Sequence, residues 1–172
     1  YRQFVPGYEN ATLQFTAPSL GVRETRRILG DYVLSVEDFK KQAVFEDEIG
    51  RYAYPVDLHS SRPCRERESN ALFQTLRYHN PGESYGVPYR CLLPCSLVNV
   101  LTAGRCVSTD RYMQGSLRVQ PGCHITGQAA GAAAALAAQR NRSPRDIAIQ
   151  DLQKTLRKLG AFLPNFKERS SQ

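Results

Sequence analysis

The sequence predicts a mixed α/β (or α+β) chain, and three observations carry that prediction. A short apolar run with two valines, "LVNVLTA" from Leu97 to Ala103, stops at Gly104, which is the pattern of a buried strand. A segment of little but alanine and glycine then runs from about Pro121 to Arg140, and a proline in the first turn of a helix removes no intrahelical bond. Farther on, "NRSPRDIAIQDLQKTLRKLGAFLP" has start signals at Ser143, Pro144 and Asp146. Its apolar stripe is Leu152, Leu156 and Leu159, and Gly160 with Pro164 supplies the stop.

The remaining elements fit around these. The 172 residues, 41% of them hydrophobic, suffice for one core of ordinary size. From Tyr1 to Asp31 the pattern is short and extended. "ATLQFT" alternates Leu13 and Phe15 with polar neighbours, Pro18 and Gly21 interrupt it, and "VRETRRILGDYVL" brings three arginines into a second apolar run. A helix is predicted next: Ser35 as N-cap, Asp38 completing an imperfect capping box, Val36, Phe39 and Ala43 at helical spacing, and Gly50 as terminator. Arg51 to Ser84 has no clear period, and loop-rich regions of that length usually lie over a site or against another domain. His59 and His79 fall there; a lone loop histidine reads first as a surface or hydrogen-bonding residue and only second as a catalytic one.

Charge and cysteines narrow the function. The chain has 23 Lys+Arg against 16 Asp+Glu, a net charge of +7, which suits an anionic cofactor, a nucleic acid or simply a basic surface. The basic residues are scattered. Their densest cluster, "RPCRERES" from Arg62 to Ser69, includes two glutamates and reads as a solvated loop before a phosphate-binding patch, so no nucleic-acid partner is expected. Cys64, Cys91, Cys95, Cys106 and Cys123 match no disulfide framework, and their one close pair is C-x3-C; buried or structural thiols are expected, and no metal centre. No apolar run reaches the roughly 20 residues of a membrane span, because Gly127, Gln128 and Gly131 interrupt the alanines. The chain starts at Tyr1 and its one methionine is Met113, so it holds no information on export and the compartment stays unassigned. The "NAT" sequon at Asn10 reads as chance.

Gly127, Gly131, Ala134 and Ala138 share one face of the alanine-rich helix by their spacing of three and four. One reading packs that glycine face inward in a tight core. The other lays the helix beneath a flat ligand or sheet, with its N-terminus aimed at a partial negative charge that the unpaired first N–H groups and the helix dipole favour. Arg118 would add to that field. Gly104 has no Cβ and lets its backbone approach a ligand or a neighbouring chain closely.

In order, "GVRETRRILGDYVL", "VPYRCLLP", "NVLTAGRCVS" and "GSLRVQPGCHITGQAAGAAAALA" resemble the C-terminal half of FAD-dependent oxidoreductases related to the flavin subunit of heterodisulfide reductase and, more distantly, to fumarate reductase flavoproteins. The likeness spans most of Tyr1 to Phe166. It implies a Rossmann-like FAD-binding fold split in sequence, with the ADP half held by an N-terminal βαβ unit and its G-x-G-x-x-G turn. Residues 1–84 would then be part of a mixed-sheet substrate domain, 85–142 the C-terminal segment of the FAD-binding domain, and 143–172 a helical extension. The resemblance implies FAD as cofactor, with Gly104 and Arg105 beside its ribityl and pyrophosphate part. Arg118, Val119, Gln120 and Gly122 would stand at the helix start facing the pyrimidine end of the isoalloxazine, and Gln128 and Ala129 one to two turns inside. A positive helix end there would stabilise the charge that reduction places over N1 and O2.

Arg23 and Arg26 are the candidates for a catalytic or substrate contact, suited to an anionic small molecule, with salt bridges inside the sheet as the alternative. No G-x-G-x-x-G occurs in the sequence, and the cysteines form no iron–sulfur run. The expected partner is therefore an N-terminal FAD-binding half, or a second copy of the chain, and the chain is not expected to be active alone. The competing expectation is a non-catalytic α/β module that has lost its nucleotide-binding half and binds a partner.

Overall fold

The computed structural model describes residues 1–58, 76 and 79–167. The capping box forms as the sequence predicts: the Asp38 carboxylate accepts from the Ser35 amide at 2.8 Å and from its hydroxyl at 2.9 Å, starting the short helix α1 (Val36–Lys40). Its end differs from expectation. The chain turns at Gln42, in the left-handed region with φ of 52°, and Gly50 lies inside a strand. That strand, β1 (Glu48–Tyr52), pairs antiparallel with β2 (Tyr85–Pro88) in a two-stranded sheet that sets Gly50 opposite Val87 and Tyr52 opposite Tyr85.

Two helices meet end to end beyond the sheet. Asp110 caps α2 (Arg111–Leu117) by accepting from the Met113 amide at 2.7 Å, while its other oxygen accepts from the Val36 amide at 2.7 Å; one carboxylate thus holds two helix starts together. After Leu117 the chain enters α3 (Gln120–Arg140), with proline in its first turn and Asn141 as a left-handed cap. A 3-10 turn at Pro144–Asp146 leads to α4 (Ile149–Lys158), closed by Gly160 at φ of 87°. Of the predicted stripe on α4, Leu152 and Leu156 are fully buried while Leu159, at the C-cap, is exposed.

The core gathers Leu34, Phe39, Ile49, Tyr85, Leu117, Leu152 and others around the sheet, with α3 laid across it. The buried face of α3 is Gly122, Thr126, Ala129, Ala133 and Ala137. This corrects the inward glycine face: Gly127, Gly131, Ala134 and Ala138 are all exposed, and a Cβ at Gly127 or Gly131 would meet nothing within 4 Å. Alanine and glycine are so alike in size and hydrophobicity that spacing cannot choose the face; α4 and β1 choose it.

The buried strand at "LVNVLTA" is also corrected. Residues 97–103 have no strand partner among the described residues, and Leu97, Val98 and Val100 are exposed. The segment is tied down by hydrogen bonds: the Ser143 hydroxyl donates to the Val98 carbonyl at 2.7 Å, the Arg145 guanidinium to that of Leu97 at 3.3 Å, and the Thr102 amide to that of Leu92 at 2.9 Å. Residues 28–34 run beside 106–110, with the Ile28 amide on the Cys106 carbonyl at 2.9 Å and the Asp110 amide on that of Leu34 at 2.8 Å. Before them, the alternation of "ATLQFT" builds no β-ladder among the described residues, and Leu13, Phe15 and Leu20 are exposed.

Candidate functional site

The start of α3 is where the chain brings its sequence-predicted groups together. Val119, the N-cap residue, has no side-chain oxygen to offer and makes no capping bond, so the first amides of the helix lack the partner that serine or aspartate would give. Gly122 is fixed by close approach: a Cβ there would sit 2.3 Å from the Leu117 carbonyl oxygen. The Gly104–Cys106 turn docks on this end, because the Gly104 amide donates to Thr126 Oγ1 at 2.9 Å and Thr126 in turn donates to the Gly122 carbonyl at 3.1 Å. Gly104 has φ of 73°, and a Cβ there would come no nearer than 3.8 Å to anything, the Cys123 sulfur; its conformation, more than its space, asks for glycine.

The flanking arginines differ. Arg105 is exposed, its guanidinium donating to the Val22 carbonyl while its own carbonyl accepts from Gln114 Nε2 at 2.6 Å. That places the segment of Arg23 and Arg26 beside the turn, with both arginines exposed. The Arg118 side chain is 10% exposed; its Nη2 donates to the Asp57 carbonyl at 3.1 Å and carboxylate at 3.3 Å. Its Nε is buried with no hydrogen-bond partner among the described residues.

Tyr52, at the end of β1, adds a group that sequence reasoning missed. Its hydroxyl is buried and has no partner among the described residues. Burial pushes its pKa up to about 12, partly offset by the Gly122 backbone N–H. The neighbouring Tyr85, whose ring meets that of Tyr52 edge-on at 6.1 Å, is satisfied: its hydroxyl lies 2.7 Å from the Ser116 hydroxyl, which donates to the Tyr54 carbonyl at 2.5 Å. Nothing in "EIGRY" marks Tyr52, because the signal is its position against a helix far along the chain.

Gly104, Arg105, Arg118, Val119, Gln120 and Gly122 thus surround one helix end. Gln128 and Ala129 do not join them: Gln128 donates to the Leu159 carbonyl at 3.2 Å, at the end of α4, and Ala129 is fully buried in the core. His79 packs on Phe39 at 4.3 Å between ring centroids, and burial lowers its pKa; His59, Arg62 and Cys64 lie outside the described residues. Cys91 is buried, which pushes its thiol up to about 12, while Cys95 and Cys106 are exposed. Among the described residues no group of three or more His, Cys, Asp or Glu could hold a metal ion, and no helix is long and apolar enough to cross a membrane.

The free groups at this end are of one kind. The uncapped amides can donate and the positive helix end lies behind them, so the arrangement suits an acceptor-rich or anionic edge. A family model described as FAD dependent oxidoreductase matches residues 1–156. No curated protein and no solved structure matches the chain.

Proposed function

The chain belongs to the FAD-dependent oxidoreductase family, and from that premise we propose that it completes the isoalloxazine end of an FAD site, with the start of α3 facing the pyrimidine edge. FAD is the cofactor of the family, and the role is of the oxidoreductase type. The observations that carry the finer reading are the uncapped start of α3, where Val119 makes no capping bond, and the Gly104–Cys106 turn docked on it. They fit a flavin edge, which offers acceptors and carries negative charge when reduced; bound FAD supplies the redox chemistry. This chain's residues bind and orient that edge: Gln120 offers its amide at the uncapped helix start, Arg118 is held by Asp57, and the Gly104–Cys106 turn lies alongside for the ribityl and pyrophosphate part.

Within the family we assign the chain to the group related to the heterodisulfide reductase flavin subunit, on the motifs quoted above. Residues 1–84 then contribute the substrate-domain face, 85–142 the flavin-completing segment and 143–172 a helical extension. Arg23 and Arg26 are exposed beside the Arg105 turn and suit an anionic small-molecule substrate. The pyrophosphate cradle comes from a G-x-G-x-x-G segment absent from this sequence. We assign the exposed residues 97–100 and the outer face of α3 as the surface that such an FAD-binding half covers.

The test is a fluorescence titration with FAD. The chain alone should bind weakly, and adding the FAD-binding half should give a yellow, stoichiometric holoprotein. Tight stoichiometric binding by the chain alone would overturn the division of the site between two halves, and no flavin uptake in the combination would overturn the reading as a whole.

A further inference from the structure

We propose that Cys106 and Cys123 form a redox-active thiol pair that closes into a disulfide by exchange with a small disulfide compound. The pair stands on the positions of its two sulfurs, and it holds whether or not a flavin lies at that end of α3. Both cysteines are free thiols in this structure. They are far apart in sequence and meet because the Gly104–Cys106 turn docks on the first turns of α3.

The two sulfurs border the same peptide unit. The Cys106 thiol folds back along its turn and donates to the Ala103 carbonyl at 3.4 Å. That carbonyl belongs to the peptide that ends at the Gly104 nitrogen, and a Cβ on Gly104 would stand 3.8 Å from the Cys123 sulfur. With glycine at 104 no side chain comes between the turn and that sulfur. Thr126 holds the arrangement, since its Oγ1 accepts from the Gly104 amide at 2.9 Å and lies 3.1 Å from the Cys123 carbonyl. Electrostatics agree with the placement: burial raises the Cys123 thiol most, the Arg105 guanidinium opposes that shift, and charge on Cys106 adds to it.

Exposure divides the roles. Cys106 is exposed and Cys123 half-buried, so Cys106 is the thiol that a disulfide compound reaches. The Cys106 thiolate attacks one sulfur of the compound, whose S–S bond breaks, and the departing thiolate takes up the proton that Cys106 released. The Cys123 thiolate then attacks the Cys106 sulfur of the mixed disulfide and expels the second thiolate, which takes the Cys123 proton. Two electrons and two protons thus pass from the pair to the compound, which leaves as two thiols. The second step is intramolecular, and its high effective concentration offsets the smaller thiolate fraction that burial leaves Cys123. Cys91 is fully buried, where its thiol is inert, and Cys95 is exposed on a different loop.

The test treats the whole chain with excess glutathione disulfide, quenches with acid, alkylates the remaining thiols and maps the tryptic peptides by mass. Cleavage after Arg90, Arg105, Arg111, Arg118 and Arg140 puts Cys91 and Cys95 in residues 91–105, Cys106 in 106–111 and Cys123 in 119–140. The wild type should yield 106–111 joined to 119–140 with the loss of two hydrogens. In Cys123→Ser the glutathione adduct on Cys106 should be about tenfold more abundant than in the wild type, because nothing resolves it. In Cys106→Ser, Cys123 should stay largely unmodified over the same time. Thermal unfolding checks that both variants fold, and the wild-type map decides alone if one does not. A Cys106 that does not react, that keeps its glutathione in the wild type, or that joins the peptide 91–105 instead would overturn the pair.

Discussion

The two faces of α3 are built from nearly the same residues and do different things. On the inner face, Gly122, Thr126, Ala129, Ala133 and Ala137 are buried, and small side chains are what let the sheet and α4 close on the helix: Gly50 of β1 meets Ile125 so closely that a Cβ would lie 2.7 Å from its methyl group. On the outer face, Gly127, Gly131, Ala134 and Ala138 are exposed, with Asn99 and Leu101 bordering a shallow groove beside the two alanines. Each glycine in a helix interior costs about 1 kcal/mol relative to alanine. Inside, close packing offsets such costs. Outside, no contact within the described residues does, which is the reason to look for a covering surface beyond this chain's own core.

The largest expected effect lies beneath the inner face. The Arg51 side chain is buried; it pairs with Glu48 on its own strand at 2.6 Å and ties β1 to the residue before β2 by donating to the Ser84 hydroxyl at 2.8 Å. Arg51→Ala leaves the Glu48 carboxylate buried without its cation and should cost about 3–5 kcal/mol in chemical denaturation. If the loss were under 1 kcal/mol, the sheet would not be what fixes the inner side.

Next comes a direct swap between the faces. Ala133→Leu on the inner face should lose about 1–3 kcal/mol by overpacking, whereas Gly131→Leu on the outer face should change stability by no more than about 0.5 kcal/mol or raise it. Equal losses at the two positions would erase the distinction. Gly127→Ala should stabilise the chain by about 1 kcal/mol, because its Cβ enters open space. Gly127→Leu should leave the chain folded and yet lower flavin uptake once the FAD-binding half is added; unchanged uptake would mean that the outer face is not covered.

The smallest effect titrates the core while sparing the outer face. Burial holds the His79 pKa below its ordinary value, so the unfolded state binds the proton more readily. The stability from neutral His79 is fully present above the unfolded pKa of about 6.5 and is lost as pH falls below it toward the folded value. Thermal unfolding followed from pH 7.5 downward should show this loss in the wild type and a flatter profile in His79→Phe, and identical slopes would remove His79 from the account.

Some of this was legible from local chemistry alone. The Ser35–Asp38 box, the proline that opens α3 and the glycine that closes α4 act within a few residues of themselves, so the sequence determined those helix boundaries without knowing the fold. The gathering of Gly104, Arg118 and Gly122 at one helix end was legible only as a resemblance, and the donor set there has its geometry from contacts. Tertiary structure decided the rest. It chose the inner face of a helix whose residues differ too little in size and hydrophobicity to choose for themselves. It left Leu97 to Val100 exposed and the run without a strand partner among the described residues, because a β-branched run becomes a strand only when another strand supplies its hydrogen bonds. It also carried Tyr52 to the start of α3, a meeting between distant residues that no local pattern encodes, because the free energy that brings them together belongs to the packing of the whole core.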